Sequence, residues 1–139
     1  MAPAIFERDQ DALLQAAHEA SERAYAPFSK FFVGAAILTT TGEVYTGCNV
    51  ENSSYGLTNC AERTAIFTAV ADGAGGGALE VKAVAVVNRD GVACAPCGAC
   101  RQVIYEFGPR AIVIYKNKEG KITQTPIADL LPEGFRLAE

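Results

Sequence analysis

The sequence carries a single histidine, His18, in 139 residues, and that scarcity already restricts its metal chemistry. With no second imidazole anywhere, any metal site in this chain has to lean on sulfur. Clustered cations are missing too: no run of Lys or Arg exceeds two residues, and the formal net charge is −4. A protein that grips a phosphate backbone depends on such clusters, so nucleic acid is set aside as a partner and a small substrate without phosphates fits better. No apolar run approaches the roughly 20 residues of a membrane span, which sets aside the membrane. The opening Met1–Arg8 lacks the apolar core of a signal peptide. The expected compartment is therefore the cytoplasm. In that reducing setting the five cysteines read as ligands or core residues, not as disulfides.

What is present is apolar. Hydrophobic residues make up 50% of the chain, which excludes a disordered or fibrous protein. One domain is expected over residues 1–139, large enough to bury a core without disulfide staples.

The spacing predicts a helix over residues 9–25, capped by Asp9 or Asp11, with Leu13, Leu14, Ala17, Ala20 and Ala24 on its apolar stripe. His18 falls on this helix as a solvated residue. Ala26-Pro27 ends it, because the residue before a proline is pushed out of the α region. Phe32–Thr40 and Glu43–Cys48, around Thr41-Gly42, read as a hairpin. Gly34-Ala35-Ala36 is small enough for a helix or a ligand to approach the sheet closely. Residues 49–58 have turn chemistry and the length of a functional loop. A helix is expected over 60–71, a glycine-rich surface loop at Ala74–Gly77, a strand buried on both faces at Val81–Asn88, and a helix at Cys97–Phe107. A buried strand at Ala111–Tyr115 and a short exposed one at Lys121–Gln124 follow. Thr125-Pro126 then caps a short helix, with the proline in its first turn. The order α-β-β-α-β-α-β-β-α predicts an α/β fold: a three-layer α-β-α sandwich around a mixed sheet of about five strands.

Two stretches carry the chemistry: Cys60-Ala61-Glu62-Arg63 and Pro96-Cys97-Gly98-Ala99-Cys100-Arg101. Cys97 and Cys100 are three apart and share a helical face, so both sulfurs reach one metal. Cys60 and Glu62 are two apart and diverge on a helix, so they serve one site only if the metal lies at the helix mouth. Helix N-termini favour thiolates there. Three thiolates around Zn²⁺ leave a fourth tetrahedral position open for water. They also leave the group with a charge of −1, which weakens the zinc as an acid. Arg63 is the best-placed cation to donate to a ligand sulfur, with Arg101 as the alternative. Glu62 is the expected proton carrier, its pKa raised by burial.

Other readings stand beside this one. Cys94 could complete a closed four-cysteine structural zinc site. Cys94-x2-Cys97-x2-Cys100 also resembles half of an iron–sulfur pattern, though Ile104 stands where another cysteine is needed. Cys48, at a strand end, reads as a small buried residue. Gly75-Gly76-Gly77 follows no strand and precedes no Lys-Ser/Thr, which argues against a phosphate loop.

The paired motifs are the signature of the zinc nucleoside and nucleobase deaminases. The resemblance reaches beyond them. Tyr25-Ala26-Pro27-Phe28-Ser29-Lys30-Phe31, Val33-Gly34-Ala35-Ala36, Thr46-Gly47-Cys48-Asn49-Val50-Glu51-Asn52, Tyr55-Gly56 and Pro96–Val103 resemble the homotetrameric, three-cysteine cytidine deaminases. The match is dense from about residue 25 to 105 and looser beyond. It departs from many members at Phe32 and at Ser53-Ser54. The resemblance implies one zinc per subunit on Cys60, Cys97 and Cys100, and Glu62 as the proton shuttle. It implies a cytidine or deoxycytidine substrate, in pyrimidine salvage. Asn49 and Glu51 would bind the ribose hydroxyls, which agrees with their facing the same way on an extended segment. Phe31 would pack on the base, and the Ala61 N–H would hold the pyrimidine carbonyl. Tyr55 and Phe135 match positions that reach a neighbouring subunit's site. A deaminase of another small aminonucleoside or of a nucleic-acid base, and a non-catalytic zinc module, remain as alternatives.

Overall fold

The structure, a computed structural model, describes residues 5–137; the ends of the expected 1–139 domain lie outside that range. The elements are α1 (Glu7–Ser21), β1 (Val33–Thr39), β2 (Val44–Cys48), α2 (Ala61–Ala71), β3 (Val81–Asn88), α3 (Gly98–Phe107), β4 (Ile112–Lys116), β5 (Ile122–Pro126) and α4 (Ile127–Leu130). A 3-10 turn at Tyr55–Leu57 and a glycine turn at Ala74–Gly77, left-handed at Gly75 and Gly76, lie between them. The sheet order is β2-β1-β3-β4-β5. Only the β3–β4 pair is parallel; the others run antiparallel. The expected mixed sheet, element order and glycine-rich turn at Ala74–Gly77 are therefore present, and the 3-10 turn at Tyr55–Leu57 is an addition.

Strand alternation decides what each face buries. Ala36, Ala83, Ala85, Ile112 and Ile114 face one side, where Leu13 and Ala17 of α1 cover them. Val33, Ala35, Ile37, Val84, Val86 and Val113 face the other, under Ala61, Ala65, Ile66 and Ala69 of α2, Ile104 of α3 and Ile127 of α4. Helices thus lie on both faces. Each fully buried isoleucine, such as Ile66 or Ile104, contributes roughly 1.5–3 kcal/mol.

Glycine sets the two closest approaches. A Cβ on Gly34 would lie 1.9 Å from the Ala17 carbonyl oxygen of α1. One on Gly47 would lie 2.5 Å from the Ala65 nitrogen and 2.7 Å from the Ala61 oxygen of α2. Of the small residues read in the sequence, Gly34 is used by a helix, α1. The close seat at Gly47 brings the N-terminus of α2, and with it Cys60, down onto the sheet.

Some boundaries differ from expectation. α1 starts two residues earlier, with Phe6 at its N-cap and no side chain capping it. It stops at Ser21, not at residue 25. The Ser21 hydroxyl donates to the His18 carbonyl at 2.5 Å, and the Tyr25 N–H already donates to the Asn49 carbonyl at 3.0 Å, so the chain straightens before Pro27. His18 is exposed, as expected. Cys48 is half-buried. β5 pairs with β4 as far as Pro126, opposite Ile112. Pro126 therefore closes an edge strand, where a missing N–H costs no ladder bond, and α4 begins only after it. Lys82 is exposed on β3, so that strand is not buried along its whole length.

Candidate active site and metal centre

Two helix N-termini converge at the site. Cys60 is the N-cap of α2 and Cys97 the N-cap of α3, while Cys100 lies in the first turn of α3. The three sulfurs all lie within 4.8 Å of one another. A tetrahedral zinc with Zn–S bonds of about 2.3 Å needs sulfurs roughly 3.8 Å apart, so the donor set fits the ion in number, type and spacing. Cys100 is buried, Cys60 half-buried and Cys97 exposed, which leaves one flank of the cluster open.

The charge around the sulfurs follows from their neighbours. Arg63 Nη2 donates to Cys60 Sγ at 3.1 Å. The Cys100 thiol, first, and the Arg63 guanidinium bonded to the Cys60 sulfur hold it down to about 5. Cys100, the donor in that pair and deeply buried, is pushed up. Of the two sulfurs, Cys60 thus favours the thiolate and Cys100 the protonated form. Binding zinc has to displace that proton. Arg101 is used differently: Nε donates to the Pro96 carbonyl at 2.8 Å and Nη1 to the Leu130 carbonyl at 3.0 Å. It pins the incoming loop to the end of α4, and Arg63 is the cation at the sulfurs.

Cys94 lies outside the three-sulfur group. Its backbone N–H pairs with the Lys116 carbonyl at 3.1 Å, which ties it to the end of β4, and burial pushes its thiol up to about 12. The geometry therefore favours a three-sulfur donor set without Cys94.

The open flank faces a cavity of about 290 Å³, lined among others by Phe31, Asn49, Glu51, Cys60, Ala61, Glu62 and Cys97. This volume sits at the small end of the range for ligand pockets, about 300–1,000 Å³. Larger cavities of about 390 Å³ open elsewhere, but they do not reach the metal-donor cluster, and the smaller one does. Glu62 is 4% exposed, and burial pushes its carboxyl up to about 7. The Ala61 N–H, first in α2, has no intrahelical acceptor.

The opposite wall is fastened by side chains bonded to backbone. Asn49 Nδ2 donates to the Phe31 carbonyl at 2.8 Å, and its Oδ1 accepts from the Val33 N–H at 2.9 Å. Glu51 Oε1 accepts from the N–H groups of Phe28 at 2.9 Å and Ser29 at 3.2 Å. Its other oxygen accepts from the Ser29 hydroxyl. These bonds, the serine hydroxyl's first, hold the Glu51 carboxyl below its usual range. Asn49 and Glu51 do face one cavity, but much of their bonding capacity is spent on the chain itself.

Tyr55 and Phe135 stand apart from the cavity lining. Tyr55 is 74% exposed, its ring 5.7 Å from that of Phe28. Phe135 is 63% exposed, and its carbonyl accepts from Gln102 Nε2. Sequence reasoning missed Ser29, Thr58 and Ala95, which also line the cavity. For Ser29 a signal existed: a serine two residues before Phe31 can accept the Phe31 N–H, and it does so at 3.0 Å.

A family model described as the cytidine and deoxycytidylate deaminase zinc-binding region matches residues 7–116. The chain belongs to this family. A deaminase-family chain from Sporosarcina psychrophila, named cytidine deaminase, is 49% identical over 128 residues, covering 91% of each chain. One of the same name from Mycobacterium tuberculosis is 45% identical over 121 residues, 87% of this chain and 85% of that one. The crystal structure of cytidine deaminase from Burkholderia pseudomallei superposes with a TM-score of 0.80 at 50% identity, over 94% of this deaminase-family chain and all of that one.

Proposed function

We propose that this protein hydrolyses cytidine and deoxycytidine to uridine and deoxyuridine with release of ammonia, as a step of pyrimidine salvage. The observation that carries the reading is the junction of two half-sites: the sulfur cluster and the buried Glu62 open into the same cavity as Phe31, Asn49 and Glu51. Its relatives' names support the same substrate.

Cys60, Cys97 and Cys100 would hold one zinc ion per subunit. Bound there, zinc supplies the Lewis acidity that makes a water molecule nucleophilic near neutral pH. The Glu62 carboxylate would take a proton from the attacking water and give it to ring N3 as oxygen adds to C4. It then carries the second proton to the exocyclic nitrogen as the C4–N bond breaks, so water is consumed and ammonia leaves. A carboxyl pushed up to about 7 by burial accepts and returns protons near neutral pH at little cost. Arg63 offsets the excess charge of three thiolates. The Ala61 N–H holds the pyrimidine carbonyl, Phe31 packs on the base, and Asn49 and Glu51 take the sugar hydroxyls with their remaining hydrogen-bonding capacity. A carboxylate at the sugar suits a neutral diol and repels a phosphate, which favours nucleosides over nucleotides.

The working unit in this reading is a cytoplasmic homotetramer of single-domain chains. Exposed Tyr55 and Phe135 then complete a neighbour's site. The test is a substrate panel read by ultraviolet absorbance: cytidine, deoxycytidine, cytidine monophosphate and free cytosine. The nucleosides should turn over well and the other two poorly. Faster turnover of the monophosphate would overturn the assignment. Light scattering should give the mass of four chains.

A further inference from the structure

Phe31 is held in an unusual way. Lys30, just before it, adopts a left-handed conformation with φ of 59°, a region that side chains other than glycine, asparagine and aspartate seldom occupy. Something has to keep the chain there. The Phe31 N–H is held by Ser29 Oγ at 3.0 Å, and the Phe31 carbonyl by Asn49 Nδ2 at 2.8 Å. The Ser29 hydroxyl cannot wander, because it gives its own proton to Glu51. The hydroxyl therefore does two things at once: it accepts from the aromatic residue's backbone and donates to the carboxylate two residues beyond Asn49. Remove it, and only the carbonyl side of Phe31 remains tied.

We infer that Ser29 is a positioning residue: its hydroxyl relays the hold of Glu51 to the Phe31 backbone and so fixes the aromatic wall of the cavity. The inference rests on Phe31 packing on the base in the proposed reaction. It assigns Glu51 a second duty, as the anchor of that relay. It also explains why an exposed serine takes part in three bonds of this one segment, as backbone donor, hydroxyl donor and hydroxyl acceptor.

The experiment compares wild type, Ser29→Ala, Ser29→Thr, Phe31→Ala and the Ser29→Ala/Phe31→Ala pair, by cytidine kinetics and by amide hydrogen exchange at Phe31 without substrate. Ser29→Ala should raise KM roughly five- to tenfold, the scale of one ordinary net hydrogen bond, with kcat within about twofold of wild type. Ser29→Thr, which keeps the hydroxyl, should restore KM. In the Phe31→Ala background the serine change should alter KM by less than about twofold, because its effect passes through the missing ring. The Phe31 amide should exchange faster in Ser29→Ala and not in Ser29→Thr. Equal losses of KM in both backgrounds would overturn the relay, as would failure of threonine to rescue. If wild type does not turn over cytidine, the functional reading fails by itself, and the exchange arm still decides the relay: unchanged protection at Phe31 refutes it.

Discussion

The two walls of the cavity are built by opposite means. On the metal side, donors sit at the first residues of two packed helices, and Cys100 and Glu62 are buried. On the opposite side, an irregular segment, residues 26–31, is tied to the Asn49–Glu51 stretch by side-chain-to-backbone bonds, several of them exposed. The first wall is rigid because α2 rests on Gly47 and the sheet beneath it. The second is only as fixed as its hydrogen bonds. Damage to the first should therefore abolish the chemistry, and damage to the second should chiefly weaken binding.

The sharpest way to break this contrast is at the sulfurs. Cys100→Ala removes the buried ligand, and zinc content and turnover should both vanish, as judged by metal analysis beside the activity assay. A variant that kept both would end the three-sulfur account. Arg63→Ala comes next: zinc affinity or kcat should fall about 10- to 100-fold, the usual cost of losing a partner of a metal ligand. Arg101→Ala is its control. That side chain bonds two carbonyls, so its loss should lower thermal stability by about 1–3 kcal/mol and leave bound zinc in place. Asn49→Ala, on the other wall, should raise KM about tenfold with kcat changed far less; an equal fall in kcat would mean the walls are not separable. The smallest effect concerns Glu62 in metal-stripped protein. Its folded pKa of about 7 lies above the ordinary 4.5, so the folded state binds the proton more tightly. Wild type should gain stability over Glu62→Gln as pH falls from 7 towards 4.5, and lose that gain as pH rises through 7. Denaturant melts across that range would show it.

The same contrast explains what could be read from the chain alone. The metal side was legible because its logic is local. A spacing of three on a helix brings Cys97 and Cys100 together, and a spacing of two sends Cys60 and Glu62 apart unless the metal lies at the helix mouth. Both expectations match the geometry, and burial does raise Glu62. The element order was legible for a similar reason, since alternation and turn residues are short-range signals. Helix ends were less so. α1 closes at Ser21 because Tyr25 pairs with Asn49, far along the chain. The opposite wall was legible only in outline. That Asn49 and Glu51 face one way follows from strand periodicity, but their partners, Phe28 to Val33, lie 16 to 23 residues away, and no local pattern announces that bond network. Tyr55 and Phe135 are exposed on this chain, and the role proposed for them at a neighbour's site needs a second chain to test it.

The central claim is that holding the metal and moving the proton belong to different side chains of one wall. The most direct test is zinc content and cytidine turnover measured together on Glu62→Gln. The account predicts one zinc per chain, as in wild type, with turnover reduced about 10²- to 10⁴-fold, the range expected for loss of a general acid–base. A variant that keeps its zinc and still deaminates at the wild-type rate would contradict it.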